Sequence, residues 1–290
     1  MNNKEVRSLQ RVIDNKVLKA LRCPCCNAAL ERGEASKSLL CLGERKHCYD
    51  ISSAGHINFA LRHNGGGDSK EAVISRRNFL DTGAYAPVSD ALSELTRELV
   101  PDGSLVVDAG CGEGYYSARI AKAGFSVCGF DLSKEAIVSA SKRATREKSD
   151  SAFFGVASVY ELPLFDASAD AVVNIFAPCV EDEYARVLRV GGYLLVAYAG
   201  AEHLMGLKRA LYDTTYENES RLDMPNKMTF VGERRIKYDI HLDSTEKILD
   251  LFSMTPYYWR TSEADKHKLS ALSSLNTTVD IIIAIYKKDV

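Results

Sequence analysis

Cys23 and Cys26 stand two residues apart; Cys41 follows after 14 intervening residues and His47 after five more. Thiolates and an imidazole at such intervals can close a tetrahedral Zn2+ site from two knuckles, and a site filled entirely by protein is structural rather than catalytic. Cys25 adjoins Cys26 and Cys48 adjoins His47, so spacing alone leaves Cys48 as a rival fourth ligand. The segment has too few large apolar residues for these thiols to be ordinary core. Eight cysteines in this chain, opening on the polar Lys4, Glu5 and Arg7 with no apolar leader, read as cytoplasmic metal chemistry rather than a disulfide framework.

The second chemical motif is Leu105-Val106-Val107-Asp108-Ala109-Gly110-Cys111-Gly112-Glu113-Gly114-Tyr115. Glycines at 110, 112 and 114 let a backbone turn pass close to a bound nucleoside, and the helix that follows offers free N–H groups. A dinucleotide fingerprint would place its third glycine at 115, where this chain has tyrosine, so the tighter spacing favours a cofactor without a pyrophosphate. Asp131 lies 21 residues beyond Gly110, where a carboxylate can accept both hydroxyls of a ribose.

These motifs need a scaffold, and the hydrophobic pattern supplies one. Strands are expected at Leu105–Ala109, Ser126–Phe130, Ala152–Val156, Ala169–Phe176 and Tyr193–Tyr198. Helices are expected between them, at Tyr115–Ala123, Lys134–Lys148 and Glu181–Leu188. Alternation of this kind implies a mostly parallel, doubly wound α/β sheet. Thr229–Leu242, a helix at Ser244–Phe252 and Asp280–Lys287 break the rhythm and predict an antiparallel edge. Upstream, residues 4–22 have near-helical apolar spacing, Ser38–Cys41 and His56–Leu61 are strand-like, and helices are expected from Lys70 to about Leu80 and from Pro87 to Leu99.

The domain expectation is therefore a basic, helical extension over 1–22, a zinc-binding lobe over 23–62, a flexible joint with a connecting helix over 63–84, and the sheet domain over 85–290, with lobe and sheet on separate cores. The charge follows that division. Residues 1–80 carry 14 Lys+Arg against 8 Asp+Glu, the remainder 23 against 31, so the N-terminal part is where a polyanion would bind. No apolar run reaches membrane-spanning length.

With the motifs assembled, the glycine turn resembles the S-adenosylmethionine site of class I (Rossmann-like) methyltransferases, with Ala157-Ser158 near the adenine. Most of the chain, from Cys23 to about Arg260, resembles the RlmA-type bacterial 23S rRNA guanine-N1 methyltransferases, which include tylosin-resistance enzymes. The resemblance rests on Cys23-Pro24-Cys25-Cys26, His47 to Asn58, Gly67-Asp68, Arg76-Arg77-Asn78-Phe79-Leu80-Asp81 with Gly83 and Tyr85, and Asp108 to Tyr116. Ala177-Pro178-Cys179, Ala185 to Gly192, His203-Leu204-Met205 and Met254-Thr255-Pro256 complete it.

The resemblance implies a zinc-ribbon-like RNA-recognition lobe with ligands Cys23, Cys26, Cys41 and His47, and cofactor contacts at Tyr85, Gly112, Glu113 and His203, beside Gly110 and Asp131. Residue type and spacing alone single out neither Tyr85 nor His203. The implied reaction is methyl transfer to N1 of a guanine in the hairpin 35 region of 23S rRNA, near the peptide exit tunnel, with rRNA or a large-subunit precursor as partner and a homodimer left open.

Guanine N1 carries a proton that must leave as the methyl arrives, and in a stem the base must be exposed or flipped. Two rival functions remain at this stage. Pro178-Cys179 could supply a thiolate nucleophile for cytosine-C5 methylation, or the zinc lobe could merely stabilise a small-molecule methyltransferase. The stretch Asn174 to Cys179 lacks the second proline and following aromatic that exocyclic-amine methylases carry there.

Overall fold

The computed structural model describes residues 13–34, 37–60, 67–215, 217–218 and 227–290. In chain order the elements are α1 (Asn15–Ala20), β1 (Leu30–Arg32), β2 (Ser38–Cys41), β3 (Cys48–Asp50), β4 (Ile57–Asn58), α2 (Lys70–Asp81), α3 (Ala86–Leu99), β5 (Leu105–Ala109), α4 (Tyr115–Lys122) and β6 (Ser126–Asp131). Then follow α5 (Lys134–Arg146), β7 (Ala152–Val156), β8 (Ala169–Ile175), α6 (Glu181–Val187), β9 (Leu188–Ala199), α7 (Met205–Leu211), β10 (Thr229–Leu242), α8 (Thr245–Ser253), α9 (Glu263–Ser270) and β11 (Leu275–Lys287).

Eight strands form one sheet in the order β10-β11-β9-β8-β5-β6-β7-β4. Strands β4 to β9 pair in parallel, whereas β11 runs antiparallel to both β9 and β10. This is the expected class I architecture with an antiparallel end. Every residue of β5 and β7 is buried, because helices cover both faces and only continuous apolar runs satisfy such strands. The chain leaves β5 towards β6 on one side and reaches β8 on the other. Their carboxyl ends diverge there and open the crevice where α/β sheets bind ligands.

The N-terminal lobe is a three-stranded antiparallel sheet, β1-β2-β3, but the expectation of separate cores fails. The strand foreseen at His56–Leu61 shortens to β4 and pairs in parallel with β7 of the large sheet. Phe59 stands 5.4 Å from Tyr49 of the lobe and 6.5 Å from Phe153 of β7, ring centroid to centroid. Val17 and Leu21 of the α1 segment join one buried cluster with Leu39 and Tyr49 of the lobe and Val107 and Phe130 of the sheet. The Phe165 amide also donates to Ala20 O at 2.9 Å. The helix expected over 4–22 is described only from residue 13 and spans six residues; its earlier part lies outside the described residues.

Residues 61–66, the last two of the lobe and the first four of the joint, also lie outside them. The joint's next residues are packed: a β-carbon on Gly67 would come within 2.7 Å of the Ser133 amide, and Ser133 Oγ donates to Asp68 O at 2.9 Å. No helix of the described residues is long and apolar enough to cross a membrane.

Candidate active site and metal centre

A cleft of about 730 Å3 opens at the carboxyl ends of β5, β6 and β8. All six residues expected to meet the cofactor line it: Tyr85, Gly110, Gly112, Glu113, Asp131 and His203. The turn after β5 needs its glycines. Gly110 has φ +85° and a β-carbon there would come within 2.5 Å of Ala177 Cβ, while the space above Gly112 is bounded only by Arg76 Nη1, 3.6 Å from where such an atom would sit. Asp131 accepts from the Gly112 amide (3.0 Å, Oδ2) and the Ser133 amide (2.8 Å, Oδ1), which ties the end of β6 to the turn. Each of its oxygens keeps a second lone pair for an incoming hydroxyl. Ser158 and Val159 line the cleft, whereas Ala157 is buried and does not.

Two carboxyls near the turn behave differently. Burial pushes Asp108 up to about 7; Asp131 and Glu113 add to this and the Ser117 hydroxyl, donating at 2.5 Å, opposes it. Its Oδ1 has no partner, an orphaned acceptor in a wall of the cleft. S-adenosylmethionine carries an ammonium, a sulfonium and a ribose diol, and the carboxyls of Asp108 and Asp131 in the cleft lining can accept from or attract such groups. Glu113 lines the cleft, but its carboxylate points into a buried ion pair with Arg143 Nε at 2.7 Å, so any cofactor contact falls to the backbone of the turn.

Tyr85 and His203, distant in sequence, meet at 3.4 Å (Oη to Nε2). The Asp280 amide donates to His203 Nδ1 at 3.2 Å, which leaves the ring proton on Nε2, facing Tyr85. Burial lowers His203 to about 4, so it is neutral. Asp68, Arg76, Phe176, Met254 and Trp259 line the same cleft. Sequence reasoning named none of these five as a site residue, although Phe176 falls in the stretch from Asn174 to Cys179 expected to face the target base, and Asp68, Arg76 and Met254 fall within the motifs carrying the resemblance.

In the lobe, the sulfurs of Cys23, Cys26 and Cys41 and the imidazole of His47 lie within 4.8 Å of one another. Cys26 Sγ is 3.3 Å from Cys41 Sγ and 3.7 Å from His47 Nδ1, and Cys23 Sγ is 3.4 Å from that nitrogen. A tetrahedral zinc site with ordinary bond lengths has ligand–ligand edges of about 3.5–3.8 Å. Gly43 sits so close that a β-carbon would meet Cys26 Sγ at 3.0 Å.

The neighbouring thiols also perturb one another. Burial pushes the Cys23 thiol up, yet the Tyr49 hydroxyl and the amides of Cys25 and Cys26 bring it down to about 6. At Cys26 the Ala28 amide lowers the thiol, but Cys41 and the Cys23 charge lift it to about 11. A cation held among these donors would offset the repulsion between two thiolates. Cys48 and Cys25 are exposed and outside the cluster, which leaves His47 as the fourth donor.

Known proteins match this chain along most of its length. A family described as a methyltransferase domain covers residues 106–192. The chain is 32% identical to the 23S rRNA (guanine(748)-N(1))-methyltransferase of Streptomyces fradiae over 253 residues, 84% of this chain and 87% of that one. It is 31% identical over 294 residues, 93% and 98% of the two chains, to a Micromonospora griseorubida protein whose name gives 23S rRNA (guanine-N(1)-)-methyltransferase as provisional. A Bacillus subtilis protein with the same provisional name is 29% identical over 97% of this chain and all of its own. The chain belongs to the 23S rRNA (guanine-N1) methyltransferase family.

Within this family's fold the rival cytosine-C5 chemistry loses its nucleophile. Cys179 does not line the cleft; it packs partly buried against the core, and burial, with Glu181 nearby, raises its thiol. Asn174 is likewise structural, its Nδ2 donating to Tyr184 Oη (3.0 Å) and Pro178 O (3.1 Å) to fix the turn after β8.

Proposed function

We propose that this chain transfers a methyl group from S-adenosylmethionine to N1 of a guanine in 23S rRNA. The observation that carries the reading is the glycine turn and Asp131 set into the switch-point cleft of a chain in this family. Bound there, the cofactor would supply an electrophilic methyl. The chain's own part is positional: Asp131 holds the ribose, the glycine turn admits the nucleoside, and the buried Asp108 offers its free oxygen to a cationic centre. The lobe over 23–62, with zinc on Cys23, Cys26, Cys41 and His47, recognises RNA, and the domain over 85–290 performs the transfer on rRNA or a large-subunit precursor. Lys19 of α1 and Lys37, Arg45 and Lys46 of the lobe are exposed and suit a phosphate backbone.

A methyl on N1 replaces a Watson–Crick donor. Incubation of unmodified 23S rRNA with protein and S-adenosylmethionine is therefore expected to create a discrete reverse-transcriptase stop one nucleotide before a guanine. Read-through cDNA with methyl label recovered in another nucleoside would reject the assignment.

Asp131→Ala removes the ribose acceptor and unlatches the Gly112 amide. Calorimetry should show S-adenosylmethionine binding weakened by about 2 kcal/mol, as for paired hydrogen bonds to a charged group. An unchanged affinity would place the ribose elsewhere.

A further inference from the structure

Phe176 begins the turn after β8 and lies in the left-handed backbone region, φ +53°. A β-carbon costs stability there, and a bulky aromatic is a poor choice for the position. Burial offsets that cost only in part, because the residue is 50% exposed. A strained, half-exposed aromatic in a cleft wall points to function rather than packing.

Its surroundings hold it firmly. The Phe176 amide donates to Ala197 O at 3.1 Å, and the next residue, Ala177, abuts Gly110 of the cofactor turn. One side of the ring rests on His203, with centroids 5.9 Å apart and planes 20° from parallel. His203 is itself fixed by the Asp280 amide and faces Tyr85, and its neighbour Leu204 is a second left-handed residue, φ +56°. The stack is thus built before any ligand arrives and leaves ring surface open in the cleft. A nucleobase is the flat partner such a surface fits, since every base presents a π-face.

The geometry points to Phe176 as the stacking platform that receives the target guanine, ring on ring, beside the glycine turn. This rests on the reading that the acceptor is a base of rRNA. It also supplies, ahead of Pro178, the aromatic that the pattern from Asn174 to Cys179 lacks after the proline.

The test uses the full-length protein with Phe176→Gly, Phe176→Leu and Phe176→Tyr, tritiated S-adenosylmethionine and 23S rRNA, with products identified after nucleoside digestion. Phe176→Gly should melt no lower than the parent, because glycine relieves the left-handed strain, and should bind S-adenosylmethionine within about twofold of it, yet lose about tenfold to a hundredfold in kcat. Phe176→Leu should be as impaired, whereas Phe176→Tyr should keep activity within about threefold.

Full activity in Phe176→Leu would overturn the platform, as would cofactor affinity falling in step with rate. If the parent produced a methylated nucleoside other than 1-methylguanosine, the functional reading would fall while the same variant ratios still judged the platform. Absence of any transfer to rRNA by the parent would overturn both.

Discussion

Cys26→Ser is expected to strip the metal and to lower the stability of the whole chain, not of the lobe alone. Zinc bound by four protein ligands contributes apparent free energies of about 10–16 kcal/mol in small zinc domains, so loss of one thiolate removes much of what holds together a lobe with three short strands. The effect should spread. Tyr49 lies next to the cysteine cluster, its hydroxyl 3.0 Å from Cys23 Sγ, and its ring packs on Phe59, which packs on Phe153 of β7. β4 adds its two residues to the edge of the large sheet through the same segment. Elemental analysis should find about one zinc per parent chain and none in the variant. Calorimetry of the variant, or of the parent with chelator, should show one transition moved to lower temperature. A metal-free protein that melts like the parent would refute the zinc site. A separate early transition beside an unmoved main one would restore independent cores.

The sheet was legible because its central strands are buried on both faces, which forces unbroken apolar runs such as Leu105–Ala109 and Ala152–Val156, and the structure returns those same bounds. Elements set by other forces were not legible. β1 and β3 have three residues each, too few for an apolar alternation to show, and form by pairing with β2. α9 buries only Leu269 and so has no apolar stripe to read, and α7 starts at the left-handed Leu204 without a side-chain cap. The pairing of β4 with β7 is two residues long and nearly a hundred apart in sequence, beyond any local signal.

The site divides in the same way. Gly110, Gly112 and Asp131 could be found because their chemistry lives in one strand–turn–helix–strand unit. Arg76, Phe176 and Trp259 come from three separate segments, and only tertiary packing brings them to one cleft. For Phe176 the missing signal is conformational: nothing in residue type announces a left-handed phenylalanine.

Arg143→Leu is expected to be the most damaging single change in the sheet domain. Arg143 is 2% exposed and holds three carboxylates: Glu113 through Nε (2.7 Å), and Asp81 (2.7 Å) and Glu147 (3.0 Å) through Nη1. Asp81 retains Arg146 and Glu147 retains Lys122, but Glu113, 1% exposed, forms no second ion pair among the described residues. Removing one partner of a buried pair costs about 3–5 kcal/mol, which for a chain this long lowers the melting temperature by on the order of 10 °C. Burial already raises Glu113 despite Arg143, whose charge opposes the shift. Without the guanidinium it rises further. A carboxyl whose folded pKa exceeds its unfolded value loses stability as pH rises through that interval, so the deficit of Arg143→Leu should widen from acidic to neutral pH and shrink again on acidification. Adding Glu113→Gln should recover much of the loss, because the uncompensated charge is then gone. Since Glu113 is part of the glycine turn, the single variant should also bind S-adenosylmethionine more weakly, and the double variant should regain part of that affinity. Melting curves of the parent and both variants across this pH range decide the matter: a deficit that is flat with pH, or a double variant no better than the single, would mean that Arg143 acts through packing rather than through the Glu113 charge.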